Sequence, residues 1–258
     1  MLSTEQMSNA LNGMYWDTCN QDFQIPYIGD TKKASFIFRK NLASITWNCM
    51  ASLERNPTTL PQTQTILKGQ SVGGVSIFDL MQVKNYGDGA KELLRLLENN
   101  RFSLDLKTAC AIHQFVGKED ALEWGVVRNM SVGIGGVEYC PPPAHQLDEI
   151  ATTGFTYLEN EIKDPRERAV ATFLFMSRNQ FFFDANKRTA SLMMNGVLMK
   201  NGYWPIMILN KDSELFHELL GQFYETGNAN NMMKFFRHSV EKMYEQHHQA
   251  EKQKELTR

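Results

Sequence analysis

Between Gln180 and Arg188 the chain sets an amide, a carboxylate, a small residue, a second amide and two cations in one unbroken run, Gln180-Phe181-Phe182-Phe183-Asp184-Ala185-Asn186-Lys187-Arg188. These types in this order suit a phosphorylated ligand accompanied by a divalent cation. Asp184 can hold Mg²⁺ through one carboxylate, the usual manner in phosphate sites. Lys187 and Arg188 open a helical stretch, where unpaired N–H groups and a partial positive charge receive anions. Arg188 adds a fixed fork of donors that matches phosphate oxygens. Asn186 can cap that helix or contact a phosphate, and Ala185 leaves room for the backbone to approach a ligand. The same residues also fit a plainer reading, a capped helix with solvated Lys and Arg in its first turn.

The elements that must position this run are mainly helical. Asp164-Pro165-Arg166-Glu167 sets a cap, a proline at the first helical position and a glutamate three residues after the cap. It predicts a helix over 165–179 that feeds the loop. A second helix over 187–200 leaves the loop and ends at Asn201-Gly202. Further helices are expected over 31–55, stopped by Asn56-Pro57, over 60–68, and over 76–98 after a turn at 69–74. Three more follow, over 103–116 from Ser103 to Gly117, over about 144–163, and from Asp212 or Ser213 to about 226. A last helix from about 230 fades into a charged, frayed tail, EQHHQAEKQKELTR. One segment breaks the pattern. Val132 to Tyr139 alternates loosely around Gly135-Gly136, which predicts a short β-hairpin, and Pro141-Pro142-Pro143 forces an extended exit.

Composition bounds the setting. The 258 residues are 42% hydrophobic and 22% charged, enough to bury a core as one globular unit. A net charge of −2 gives no support for direct nucleic-acid or membrane-surface binding. The four cysteines, at 19, 49, 110 and 140, have no metal-ligand or CxxC spacing, as free thiols in a reducing compartment would. The start MLSTEQMSNALNG lacks the basic flank and apolar core of a signal peptide, and no stretch approaches the roughly 18 apolar residues of a membrane span. A cytoplasmic protein is expected.

The run from Gln180 to Arg188 resembles the signature of the Fic/Doc family, His-x-Phe-x-Asp/Glu-Gly/Ala-Asn-Gly/Lys-Arg. Ala185 and Lys187 resemble the Doc branch. Ile112-His113 with Gly125 and Arg128 is similar to the family's stretch before its target-docking flap. The 131–140 segment with its triple proline resembles the flap itself. Glu54-Arg55-Asn56-Pro57-Thr58-Thr59-Leu60 is similar to the segment of Fic proteins that carry an N-terminal inhibitory helix. The resemblance implies a mainly α, Fic-like helical bundle with one short β-hairpin flap and an N-terminal helical extension. It divides the chain into residues 1–100, with an inhibitory-like helix at about 31–56, a core over 101–228, and a C-terminal helix and tail over 229–258.

The resemblance further implies roles. Asp184 would bind the metal, Asn186, Lys187 and Arg188 the phosphates, and Phe182 would anchor the loop in the core. Ile134, Gly135, Gly136 and Val137 would dock a target peptide by strand addition. ATP and Mg²⁺ are the implied cofactors. The partners would be the nucleotide and a target protein with a modifiable hydroxyl, with a homo-oligomer left open. The family reaction would be transfer of AMP from ATP to that hydroxyl. A Doc-like phosphoryl transfer and a catalytically inactive regulator or interaction module are the alternatives.

The chain departs from the pattern in ways that matter. Gln180 stands where the family has its catalytic histidine, and an amide cannot take a proton near neutral pH. Ser191 stands where many Fic proteins carry a second arginine, the partner of the inhibitory glutamate, so Glu54 is expected to lack its usual partner. Met50 and Arg55 replace the usual Ser/Thr and Gly around that glutamate. Among the other histidines, His113 reads as a core residue and His145 as a possible substitute base near the flap. His217, His238, His247 and His248 show no ligand pairing.

Overall fold

The computed structural model describes residues 3–19 and 21–256, with side chains as far as Glu245. Two helices form its centre. Helix α8 (Pro165–Asn179) starts where Asp164 accepts from the Arg166 N–H, and every residue from Glu167 to Asn179 is buried. Helix α9 (Asn186–Lys200) is buried throughout except at Lys187 and Lys200. Helices covered on all sides lose the apolar-polar periodicity of surface helices. The two pack against each other and are joined by the 180–185 loop.

The other helices wrap this pair: α1 (Thr4–Ala10), α2 (Thr31–Lys40), α3 (Leu42–Glu54), α4 (Leu60–Leu67), α5 (Ile77–Glu98), α6 (Leu106–Val116), α7 (Leu147–Glu161), α10 (Ser213–Thr226) and α11 (Asn230–Leu256). Their buried faces join one hydrophobic cluster. Local chemistry explains most boundaries. Thr59 and Gln62 form a reciprocal capping box at α4, Ser76 caps α5, and Gly227 closes α10 in the left-handed region at φ 71°.

Several expectations are corrected. The helix expected over 31–55 is two helices. Asn41 ends α2 and begins α3, and its side-chain amide bonds the Ile37 carbonyl. Helix α2 begins at Thr31 as expected, capped by Asp30, whereas Asp105, not Ser103, caps α6. Helix α11 continues through the tail expected to fray, and the side chains of His247 and His248 lie outside the described residues.

The flap turns at Gly135-Gly136 as expected, but its arms form no β-ladder. The donors of one arm are taken elsewhere. The N–H groups of Glu138 and Tyr139 both donate to Glu225 Oε1 on α10, at 2.6 and 3.3 Å. The flap is therefore a side-chain-braced loop. Among the described residues the only bridges are Tyr15 with Asn228 and Tyr27 with Tyr203, which tie the N-terminal segment to the core.

Candidate functional site

Helix α8 stops because Gln180 takes a left-handed conformation, φ 48° and ψ 63°, and its N–H returns to the Met176 carbonyl. A non-glycine residue holds that conformation only when its surroundings enforce it. Here the side chain is fastened at both ends. Gln180 Nε2 donates to the Ser177 carbonyl at 2.6 Å, and Gln180 Oε1 accepts from Asn186 Nδ2 at 2.9 Å. The Asn186 amide also accepts from the Phe182 N–H at 2.9 Å and donates to the Phe182 carbonyl at 2.8 Å. Asn186 thus knots the loop from inside. The cradle's donors to a ligand would be backbone N–H groups at the start of α9.

Phe182 is buried, as an anchor of the loop should be, and stacks on His113 with ring centroids 3.8 Å apart and planes 7° apart. His113 Nδ1 accepts from the Gly125 N–H at 3.0 Å, so its proton sits on Nε2, which donates to the Asp184 carbonyl at 3.1 Å. Burial pulls the His113 pKa down to about 4, and the nearby Arg188 charge acts in the same direction, so the ring is neutral at pH 7. His113 is the core histidine expected, and it holds the metal-candidate residue by its backbone.

Arg188 is not the solvated first-turn cation of the plainer reading. Its side chain is 1% exposed and is surrounded by three carboxylates. NH1 donates to Asp120, NH2 donates to Asp184 Oδ1 at 3.1 Å, and Nε lies 3.3 Å from Glu54 Oε1. Burial disfavours its charge, but Glu54, Asp120 and Asp184 outweigh that and hold its pKa above the usual arginine range. Glu54 was expected to lack a partner because Ser191 replaces the second arginine. Instead it reaches Arg188 itself. The Ser191 hydroxyl turns away, donating to the Arg188 carbonyl and lying 3.1 Å from the Tyr86 hydroxyl.

Arg128, also buried, ties the loop to the flap. Its guanidinium donates to the Gln180 carbonyl at 2.6 Å, to Met130 at 2.7 Å and to Pro142 at 2.6 Å. One side chain thus fixes both the site loop and the two ends of the flap. Arg178 lies over the Tyr139 ring at 4.1 Å and braces the same segment.

These contacts enclose a cavity of about 410 Å³. Gln180, Asp184, Asn186 and Lys187 line it from the loop, Ile134 to Val137 from the flap, and Glu54 from α3. Arg188 lies behind that wall, reached through Asp184 and Glu54. Ile134 and Val137 are half-buried while Gly133, Gly135 and Gly136 are exposed, and a Cβ on any of these glycines would meet nothing within 4 Å. His145 is exposed on a short 3-10 turn and does not line the cavity. Sequence reasoning missed Asp120, Tyr224 and the position of His217, all brought here by the fold alone. No spacing in the chain relates them to the loop.

The Fic/DOC family model matches residues 103–198. The protein adenylyltransferase Fic of Nematostella vectensis is 28% identical over 176 residues, covering 66% of this chain and 41% of that protein. The chain therefore spans about two-fifths of that relative's length. Among solved structures, Fic-1 (residues 134–508) of C. elegans superposes with a TM-score of 0.69 at 19% identity, covering 97% of this chain and 72% of that one. IbpAFic2, solved covalently tethered to Cdc42 and also in complex with adenylylated Cdc42, superposes with a TM-score of 0.54 at 13% identity, covering 94% and 72%. At these identities the structural likenesses establish the fold.

Proposed function

The chain belongs to the Fic/DOC family, and from that premise we propose that its cavity holds the phosphates of ATP. The ancestral reaction of the site is transfer of AMP to a hydroxyl of a target protein, and Gln180 limits that step. The observation that carries the reading is the convergence of Gln180, Asp184, Lys187, the start of α9 and the flap on one cavity.

The residues present fit the implied groups. Asp184 is 56% exposed at its side chain, and both its hydrogen bonds fall on Oδ1, from Ala185 and Arg188. That leaves Oδ2 for a cation. Among the described residues no three His, Cys, Asp or Glu side chains converge to hold a metal by themselves. Magnesium would thus depend on Asp184 together with ligand phosphates, its usual arrangement. ATP would supply the group transferred, and the ion would offset phosphate charge. Lys187 and the N–H groups at the start of α9 would receive the phosphates, with Arg188 joining once Glu54 withdraws. The unpaired backbone around Gly135-Gly136 would align a target strand.

A second reading, a nucleotide-binding regulator without transfer activity, is favoured by the double fastening of Gln180. Calorimetric titration with ATP, with and without Mg²⁺, tests what the two readings share. ATP should bind more tightly with Mg²⁺, and Asp184→Asn should erase that gain. Absence of ATP binding at millimolar concentration would remove both readings.

A further inference from the structure

The corner of the cavity formed by Arg55, Lys187 and His217 lies outside the family signature except at Lys187. Arg55 is the residue after α3 and takes a left-handed conformation at φ 55°. A position in that region favours glycine, and an arginine there costs conformational energy. Its side chain makes no ion pair among the described residues, so no internal salt bridge offsets the strain. It lines the site cavity and also a neighbouring cavity of about 740 Å³ that runs past Trp47 and Asn56 to Lys211. His217 lines both cavities too, so the pair stands where they meet.

Lys187 faces the same corner, half-buried and likewise without an ion-pair partner among the described residues. His217 Nε2 is buried and has no hydrogen-bond partner. Burial, then the charges of Lys187 and Arg55, push the His217 pKa down, while the Ser52 backbone opposes them. Of the acids nearby, Glu54 and Asp184 both engage Arg188, and Glu214 lines the neighbouring cavity. An incoming anion therefore meets an Arg188 already surrounded by carboxylates, but meets Arg55 and Lys187 outside any ion pair among the described residues.

We propose that Arg55, Lys187 and His217 form a second anion subsite, which receives a phosphate or pyrophosphate group while Glu54 still occupies Arg188. The subsite takes a free inorganic anion or the phosphates of a nucleotide by the same chemistry, charge-assisted hydrogen bonds from two cations. The proposal rests on the phosphate-binding reading of the cavity, shares Lys187 with it, and adds Arg55 and His217, which that reading does not use.

Titration with sodium pyrophosphate and, separately, with ATP tests it on the parent, Arg55→Gly and Lys187→Ala, by calorimetry and by the ring resonances of His217. Glycine relieves the backbone strain at Arg55, so the variant should melt no lower than the parent. Pyrophosphate should bind the parent and shift the His217 resonances, and Arg55→Gly should weaken binding about tenfold or more and suppress that shift. Equal affinity in Arg55→Gly, an unmoved His217 at saturation, or no pyrophosphate binding to the parent overturns the subsite. If ATP binds the parent and Arg55→Gly equally, the subsite fails while the nucleotide reading stands. If pyrophosphate binds as expected and ATP does not, the subsite stands and the nucleotide reading fails.

Discussion

Asn186 Nδ2 donates to Gln180 Oε1 at 2.9 Å, joining the first residue of α9 to the residue that ends α8. The bond spans the site loop, and with the two bonds exchanged between Asn186 and Phe182 it closes the loop on itself. Gln180 therefore has a structural occupation in addition to its inability to take a proton. Its amide is held in one orientation by Ser177 and Asn186, and any contact with an attacking hydroxyl has to use the remaining Nε2 hydrogen or Oε1 lone pair.

Glu54 should oppose nucleotide binding. It lies 3.3 Å from Arg188 Nε and lines the cavity. Nε has no well-aligned hydrogen-bond acceptor, so the contact is electrostatic and can be replaced by a phosphate oxygen. Glu54→Ala should tighten ATP binding about tenfold, the size of one charge-assisted contact of roughly 1.5 kcal/mol. Unchanged affinity by calorimetry would mean that Glu54 does not compete with the phosphates.

How much of this could be seen in the chain follows from how local each feature is. The cap at Asp164-Pro165 and the turn at Gly135-Gly136 rest on neighbouring residues and were legible, while Phe182 as anchor was legible through the resemblance and stacks on the distant His113. The break at Asn41 was not, because apolar spacing runs on through it. The absence of a flap ladder depends on Glu225, far along the chain. Glu54 was identifiable as a candidate, but its partner was not. With Ser191 in place of an arginine, only the three-dimensional approach of α3 to α9 brings Glu54 to Arg188. Asp120 and His217 arrive by tertiary packing alone.

Glu167 should make stability fall as pH rises. It is buried on α8 and accepts from the Trp16 indole at 2.6 Å. Burial pushes its pKa up to about 7, against the pull of the Trp16 hydrogen bond, with Asp164 raising it further and Arg237 lowering it. The folded state therefore binds this proton more tightly than the unfolded chain does. The contribution is full below the ordinary glutamate range and is lost as pH climbs from about 4.5 through about 7. Its slope can reach about 1.4 kcal/mol per pH unit. Glu167→Gln keeps an acceptor for Trp16 and removes the titration. Denaturant unfolding of both proteins from pH 5 to pH 8 should show a stability difference that shifts in favour of the Gln variant with rising pH. A difference independent of pH would mean that Glu167 does not titrate in that window.

Gln180→His should raise transfer while leaving ATP affinity nearly unchanged. The phosphate cradle rests on the start of α9, Lys187, Arg188 and Asp184, none of which takes its position from the Gln180 side chain except through Asn186. Asn186 keeps both bonds to Phe182 without it. Phe182 on His113 and the Arg128 bond to the Gln180 carbonyl also persist, because they use the ring stack and the backbone. The loop should therefore hold its shape. What changes is the chemistry at one side chain. An imidazole with a pKa near neutrality can accept the proton of an attacking hydroxyl, and a general base contributes roughly 10²–10⁴-fold in rate. Incorporation of label from ATP into the protein itself and into added protein targets should rise about 10²-fold or more, with a new limb near pH 6.5 in the rate profile. Intact-mass analysis of the product separates the routes. An added AMP matches the relatives named as adenylyltransferases, and an added phosphate matches the Doc-like features Ala185 and Lys187. If the His variant binds ATP as the parent does yet gains neither labelling nor the pH limb, the missing base is not the barrier. The site would then be a nucleotide-binding regulator whose closed loop, held by Asn186, is its working state.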